Sequence, residues 1–135
     1  MTACFSFDGV AVDGPVDPIL ADVTCTIPPG GVTVVSGASG SGKSTLLRLC
    51  NRLEVPSRGV VRFRGDDVAG LDPVELRRRV GMVFQRPTPF PGTGWDNLRA
   101  AGQATGARRP DREEAVDLLG RVALGPEFLD RDALT

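Results

Sequence analysis

A chain of 135 residues, 41% hydrophobic and 24% charged, has room for one domain with a modest core and lacks the composition of a disordered segment. Its formal net charge of −1 argues against a surface spread over nucleic acid or an anionic membrane, so no nucleic-acid partner is expected. The apolar runs are only a few residues long and Met1–Asp8 lacks a basic-then-apolar order, so neither a membrane span nor a signal peptide is expected. Cys4, Cys25 and Cys50 match no metal or redox spacing and suit a reduced, cytoplasmic setting.

In chain order, Ala3 to Asp8 alternates loosely and predicts a first, edge-like strand, followed by a Gly/Pro/Asp-rich turn or bulge from Gly9 to Pro18. Ile19 to Ile27 carries β-branched residues at Val23, Thr24, Thr26 and Ile27 and predicts a second strand. After the turn Pro28-Pro29-Gly30-Gly31, the apolar run Val32 to Val35 predicts a short strand buried on both faces. Thr45 to Leu53 has the propensity and apolar spacing of a helix, with Cys50 on its buried side. Pro56 and Gly59 bracket a turn into the alternating strand Val60–Arg64. Asp72 and Pro73 form an N-cap and N1 pair opening a helix to about Arg79. Val80 to Phe84 predicts another short strand with Gln85 at its end. A loop then runs from Arg86 to Gly94, a short helix from Thr93 to Ala101, and an amphipathic helix from Asp111 to Leu119. The runs Arg77-Arg78-Arg79 and Arg108-Arg109, with acidic residues nearby, read as solvated faces.

The chemistry concentrates at Gly37-Ala38-Ser39-Gly40-Ser41-Gly42-Lys43-Ser44, which matches the phosphate-binding pattern G-x-x-x-x-G-K-[ST]. Lys43 is the only lysine, against fifteen arginines. It stands where a compact ammonium on a flexible stem suits a phosphate better than a planar fork. A predicted strand before this loop and a helix after it complete the context the motif needs. Glycines let the backbone wrap closely, N–H groups point inward, and the helix start adds the positive end of its dipole. On this pattern Gly37, Ser39, Gly40, Ser41, Gly42, Lys43, Ser44 and Thr45 bind nucleotide phosphates. Lys43 reaches the β and γ phosphates, and the Ser44 hydroxyl is a Mg²⁺ ligand. A water-activating acid is harder to find. The nearest acids behind a strand, Asp66 and Asp67, follow an alternating strand across a turn and do not suit the role.

Three segments resemble the nucleotide-binding domain of ABC transporters. Gly37 to Arg48 resembles the family's P-loop, and Pro56 to Val61 the turn and strand behind its first helix. Val80 to Thr93 resembles the Q-loop, followed by Asp96-Asn97-Leu98, with a Pro-rich form closest to phosphate-import ATPases. The resemblance implies an α/β fold: a P-loop NTPase core, an antiparallel β subdomain, and the start of a helical subdomain from about residue 93. It implies MgATP binding and hydrolysis coupled to transport, with Lys43 and Gln85 as catalytic residues and Ser44 and Gln85 touching Mg²⁺. The implied partners are transmembrane subunits at Arg86 to Trp95 and a second ATP-binding subunit. The implied location is cytoplasmic, peripheral at the inner face of the membrane.

Two departures from the family pattern stand out. The position of its adenine-stacking aromatic falls at Gly14 or Asp13, and the chain has no tyrosine. The sequence stops at Asp130–Thr135, which resembles the residues just before the signature motif; the signature, the acidic strand and the switch histidine are not among these residues, and histidine is absent altogether. The reading is therefore of roughly the first half of such a domain, 1–135, not hydrolytic alone and marginally stable or prone to aggregate. A non-transport ABC-type ATPase and a non-catalytic truncated remnant remain alternatives. A GTPase would need an Asn-Lys-x-Asp base motif, which a single lysine already in the P-loop does not allow.

Overall fold

The protein was analysed as a computed structural model that describes residues 2–106 and 108–134. The chain divides into two compact units, residues 1–82 and 83–135.

The first unit is built on an antiparallel sheet of strands β1 (Phe5–Val12), β2 (Leu20–Ile27), β3 (Arg58–Phe63) and β4 (Asp66–Asp67), in the order β2-β1-β3-β4. Helix α1 (Lys43–Cys50), a 3₁₀ turn (Val68–Gly70) and helix α2 (Pro73–Arg79) complete it. Phe5, Phe7, Val10 and Val12 of β1 join Leu20, Val61 and Phe63 in one apolar cluster. Leu49 and Cys50 of α1, Val68, and Leu76 of α2 close the cluster. The Phe5 and Phe63 rings, directly paired across β1 and β3, lie 4.9 Å apart. Asp72 caps α2 as its sequence predicts, its carboxylate accepting from the N–H groups of Val74 and Glu75 at 2.9 Å.

The second unit holds α3 (Gly94–Thr105), α4 (Arg112–Gly120) and a 3₁₀ turn (Pro126–Leu129), with Ala115 and Leu129 fully buried. Both helices open on a capping box, Thr93 with Asp96 and Asp111 with Glu114. Arg112 binds both carboxylate oxygens of Asp130 at 2.6 and 2.7 Å, tying α4 to the chain behind the 3₁₀ turn.

Several sequence expectations are corrected. The first strand is neither short nor at an edge: it runs to Val12 between β2 and β3. The register shifts beyond Phe7 and Asp8 around Gly9, whose φ is +57° and whose N–H donates to Thr24 Oγ1 at 2.9 Å. A bulge there lets the strand bend and resume, so a turn-rich composition does not end it. The run Val32–Val35 forms no strand, and Val32 and Val34 are 92% and 80% exposed. Val80–Phe84 forms none either: Val80 ends α2 with its N–H on Leu76 O, and Val83 is 97% exposed. Both segments have the β-branched, apolar content of buried strands. That content describes fit to a pleated surface, and no strand pairs with either segment among the described residues. The fold class, α/β with an antiparallel sheet, is as expected.

Candidate functional site

The glycine-rich loop joins β2 to α1 within the first unit, and its conformation follows from its glycines. Gly42 is the N-cap of α1 at φ +84°, and Gly40 sits at φ +79°. A methyl group on Gly42 would lie 2.5 Å from Leu20 Cδ2 and 2.8 Å from the Ile19 carbonyl. The helix start is thus pressed against the first residues of β2, and only glycine satisfies both the left-handed backbone and the close approach.

Lys43, the first residue of α1, folds back over the loop. Its Nζ donates to Gly37 O at 2.9 Å and Ala38 O at 2.6 Å, with Ser41 Oγ at 3.4 Å. No side chain caps the start of α1 and no acidic residue lies in its first turn. Its leading N–H groups and the positive end of its dipole therefore sit beside the chain's single lysine. That donor set suits a polyanion such as a phosphate chain. Ser44 is exposed next to Lys43, whereas Thr45 is buried and anchors the first turn to the core. Ser39, Gly40 and Ser41 are exposed along the loop, though the Ser41 N–H is engaged by Ala38 O at 3.3 Å. Gly37 to Thr45 thus lie in the glycine-rich loop and the first turn of α1. No group of three metal-binding side chains occurs among the described residues. A single serine hydroxyl suits a hard cation that arrives on phosphates and keeps most of its waters.

At the two positions considered for a base-stacking aromatic, Gly14 is packed against the Asp17 carbonyl, 2.3 Å from where a Cβ would stand. The Asp13 N–H donates to Ser57 Oγ at 3.0 Å. Neither offers a ring.

Gln85 lies in the second unit, exposed in a bend. The loop behind it is ordered by Asn97. The Asn97 side chain accepts from the Phe90 N–H at 2.8 Å and donates to Phe90 O and Thr93 O at 3.0 Å. Phe90 is 66% exposed. Trp95 is half-buried with the Arg99 guanidinium 5.8 Å from its ring. The Asp96 carboxyl sits below the usual carboxylate range because the Thr93 N–H and hydroxyl both bind its charged form. Cys50 is the opposite case: burial, then the neighbouring Cys4 and Cys25, push its thiol up to about 12. It is inert packing, not a nucleophile.

Sequence reasoning missed the arginines. Arg77, read as part of a solvated face, reaches the end of α1, where its Nε and Nη2 donate to Asn51 O and Arg52 O. Arginine on an exposed helix position carries no mark of such a reach, and only the packing of α2 beside α1 reveals it.

Comparison with known proteins points to one family. A protein-family model described as "ABC transporter" matches residues 20–133. The chain is 44% identical to Protein STAR1 of Oryza sativa subsp. japonica over 117 residues, which cover 87% of this chain and 34% of that protein. It is 45% identical to ABC transporter I family member 17 of Arabidopsis thaliana, covering 88% of this chain and 44% of that one. It is 44% identical to the phosphate import ATP-binding protein PstB of Parasynechococcus marenigrum (strain WH8102), covering 82% and 43%. The chain thus spans between a third and a half of the length of these relatives. Among solved structures, a bacterial Atm1-family ABC exporter with ATP bound superposes with a TM-score of 0.76. It shares 24% identity and covers 97% of this chain and 24% of that one, a likeness of fold.

Proposed function

Since the chain belongs to the ABC transporter family, as part of its ATP-binding domain, we propose that residues 37–45 bind the phosphates of MgATP. The observation that carries this reading is the uncapped start of α1 with Lys43 folded over the glycine-rich loop. On binding, the Lys43 ammonium exchanges carbonyl partners for the β and γ phosphate oxygens, a charge-assisted contact stronger than the ones it leaves. The N–H groups that open α1 add donors the helix itself leaves free. Gly40 and Gly42 keep the loop close enough for backbone contact. Ser44 would hold Mg²⁺, which would supply neutralisation of phosphate charge. Gln85 is assigned to Mg²⁺ and to orienting the attacking water.

The wider role is coupling of ATP binding and hydrolysis to solute transport across a membrane. The segment from Arg86 to Trp95 meets transmembrane subunits, and a second ATP-binding subunit completes the catalytic pair. No helix of the described residues is long and apolar enough to cross a membrane; association at the cytoplasmic face through those subunits is the matching arrangement. These 135 residues supply phosphate contacts and Gln85 but no convincing water-activating acid, so turnover by this stretch alone is not expected.

Calorimetric titration with MgATP tests the site. The wild type binds saturably, and Lys43→Ala weakens binding by about 10- to 100-fold, the range for losing charged hydrogen bonds. A folded wild type that does not bind, or a Lys43→Ala variant that binds equally well, overturns the assignment.

A further inference from the structure

We propose that Arg77 is a positioning residue for the phosphate-binding helix, acting from the end opposite Lys43. Its effect on ligand rests on the nucleotide reading above; the tether itself does not. Helix α1 is eight residues long, too short to be stable without tertiary support, and its first turn carries Lys43 and Ser44. Where α1 ends, Arg52 adopts a left-handed backbone at φ +55°. The N–H groups of Leu53 and Glu54 turn back to Arg48 O at 3.0 and 3.3 Å. That closure leaves the carbonyls of Asn51 and Arg52 without helical partners. Arg77 takes both: Nε donates to Asn51 O at 3.1 Å and Nη2 to Arg52 O at 2.7 Å. The return link is Arg52 Nη1 to Leu71 O at 2.6 Å, just ahead of α2.

Three features make this a directed tether and not a chance surface contact. Two donors in the fixed fork of one guanidinium meet two consecutive carbonyls, a match an ammonium does not reproduce. A cation at the C-terminal end of a helix is favoured by the dipole. The backbone that carries Arg77 is anchored next door by Leu76, which is 1% exposed. The neighbouring arginines do other things: Arg78 pairs with Glu75 on the surface, and Arg79 lies 4.8 Å over the Phe63 ring. A helix of this length is a rigid rod of about 12 Å, so tilt at one end is transmitted to the other. Without Arg77 the loop and first turn lose pre-organisation while every phosphate-contacting group remains, and affinity falls for that reason.

The test pairs Arg77→Ala with Arg78→Ala, a change on the same helix that leaves the tether intact. Hydrogen exchange without nucleotide reads the helix directly. In Arg77→Ala, exchange rises along α1 as far as the Leu46 amide, which bonds Gly42 O at 2.9 Å at the helix start; Arg78→Ala leaves it unchanged. A rise confined to residues beyond Leu49, or equal in the two variants, overturns the proposal. Calorimetry with MgATP then shows affinity reduced on the order of tenfold in Arg77→Ala. Arg77→Lys, with one bond of the two, falls in between, and carries the comparison if the alanine variant does not fold. Unchanged affinity in a folded Arg77 variant, with Lys43→Ala binding weakened, refutes positioning. If Lys43→Ala binds normally, the nucleotide reading fails instead, and exchange alone decides the tether.

Discussion

The glycine at the start of α1 permits a quantitative prediction, because two separable effects act there. Replacing Gly42 by alanine forces an L residue to φ +84°, which costs about 1–2 kcal/mol in the left-handed region. The new methyl group also meets Leu20 Cδ2 at 2.5 Å and Ile19 O at 2.8 Å. The leucine end can rotate away. The carbonyl cannot, since the Ile19 N–H, just ahead of β2, is fixed to Val12 O at the end of β1 at 2.8 Å. Relieving that contact adds about 1–3 kcal/mol, the usual range for overpacking. Gly40→Ala is the matched control: its φ is +79° but nothing lies within 4 Å of the added carbon, so only the backbone term applies. With a urea dependence of about 2 kcal/mol per M for a small domain, Gly42→Ala lowers the midpoint by about 1–2.5 M and Gly40→Ala by about 0.5–1 M. Equal shifts in the two variants would show that the close approach of β2 to the helix start is not energetically real, and the argument for a fixed loop would go with it.

The buried Cys50 thiol, pushed up from 9.0 to about 12, stays protonated in the folded chain while the unfolded chain ionises. Its contribution is complete below about pH 9 and is lost as pH rises towards 12; Cys50→Ala flattens the pH dependence of stability across that window, and iodoacetamide at neutral pH labels exposed Cys25 but not Cys50. Asp96 has the opposite sign. With its pKa lowered by the Thr93 N–H, its support of α3 is complete above the usual carboxylate range and lost as pH falls through the lowered value, so Asp96→Asn flattens the acid limb of the helical circular-dichroism signal. Val32 and Val83, almost wholly exposed in segments of strand-like composition, drive concentration-dependent association of this stretch. Light scattering falls in Val32→Thr and Val83→Thr, and a cooperative, monomeric wild-type melt at high concentration would contradict the expectation.

What was legible in the sequence divides along a physical line, between features whose cause is local and features whose cause lies elsewhere in the chain. The caps are local: Asp72 before Pro73 specifies its helix start within one turn and forms as read, and the Asp111–Glu114 capping box, not picked out in the sequence, is equally local in cause. The glycine-rich loop is local too. Its shape comes from left-handed glycines at 40 and 42 and its charge from one lysine, all inside eight consecutive residues. Strand existence is not local. Val32–Val35 and Val80–Phe84 have strand composition as good as that of β3, yet β3 forms because β1 and β4 flank it, and the valine runs have no such neighbours among the described residues. β1 was underestimated for the converse reason, since pairing on both sides carries it through the bulge at Gly9.

The same division explains why the arginine at 77 escaped notice while the lysine at 43 did not. Lys43 is marked by its glycine neighbours, whereas Arg77 earns its role only from carbonyls 25 and 26 residues away. Arg48, Arg62 and Arg112 read no differently in the sequence. A site therefore has two layers of unequal legibility: the groups that touch the ligand, written contiguously, and the groups that hold them in place, written wherever the fold happens to bring a long side chain. For this chain the second layer is where substitutions that look conservative, such as Arg77→Lys, are expected to have effects that the motif gives no warning of.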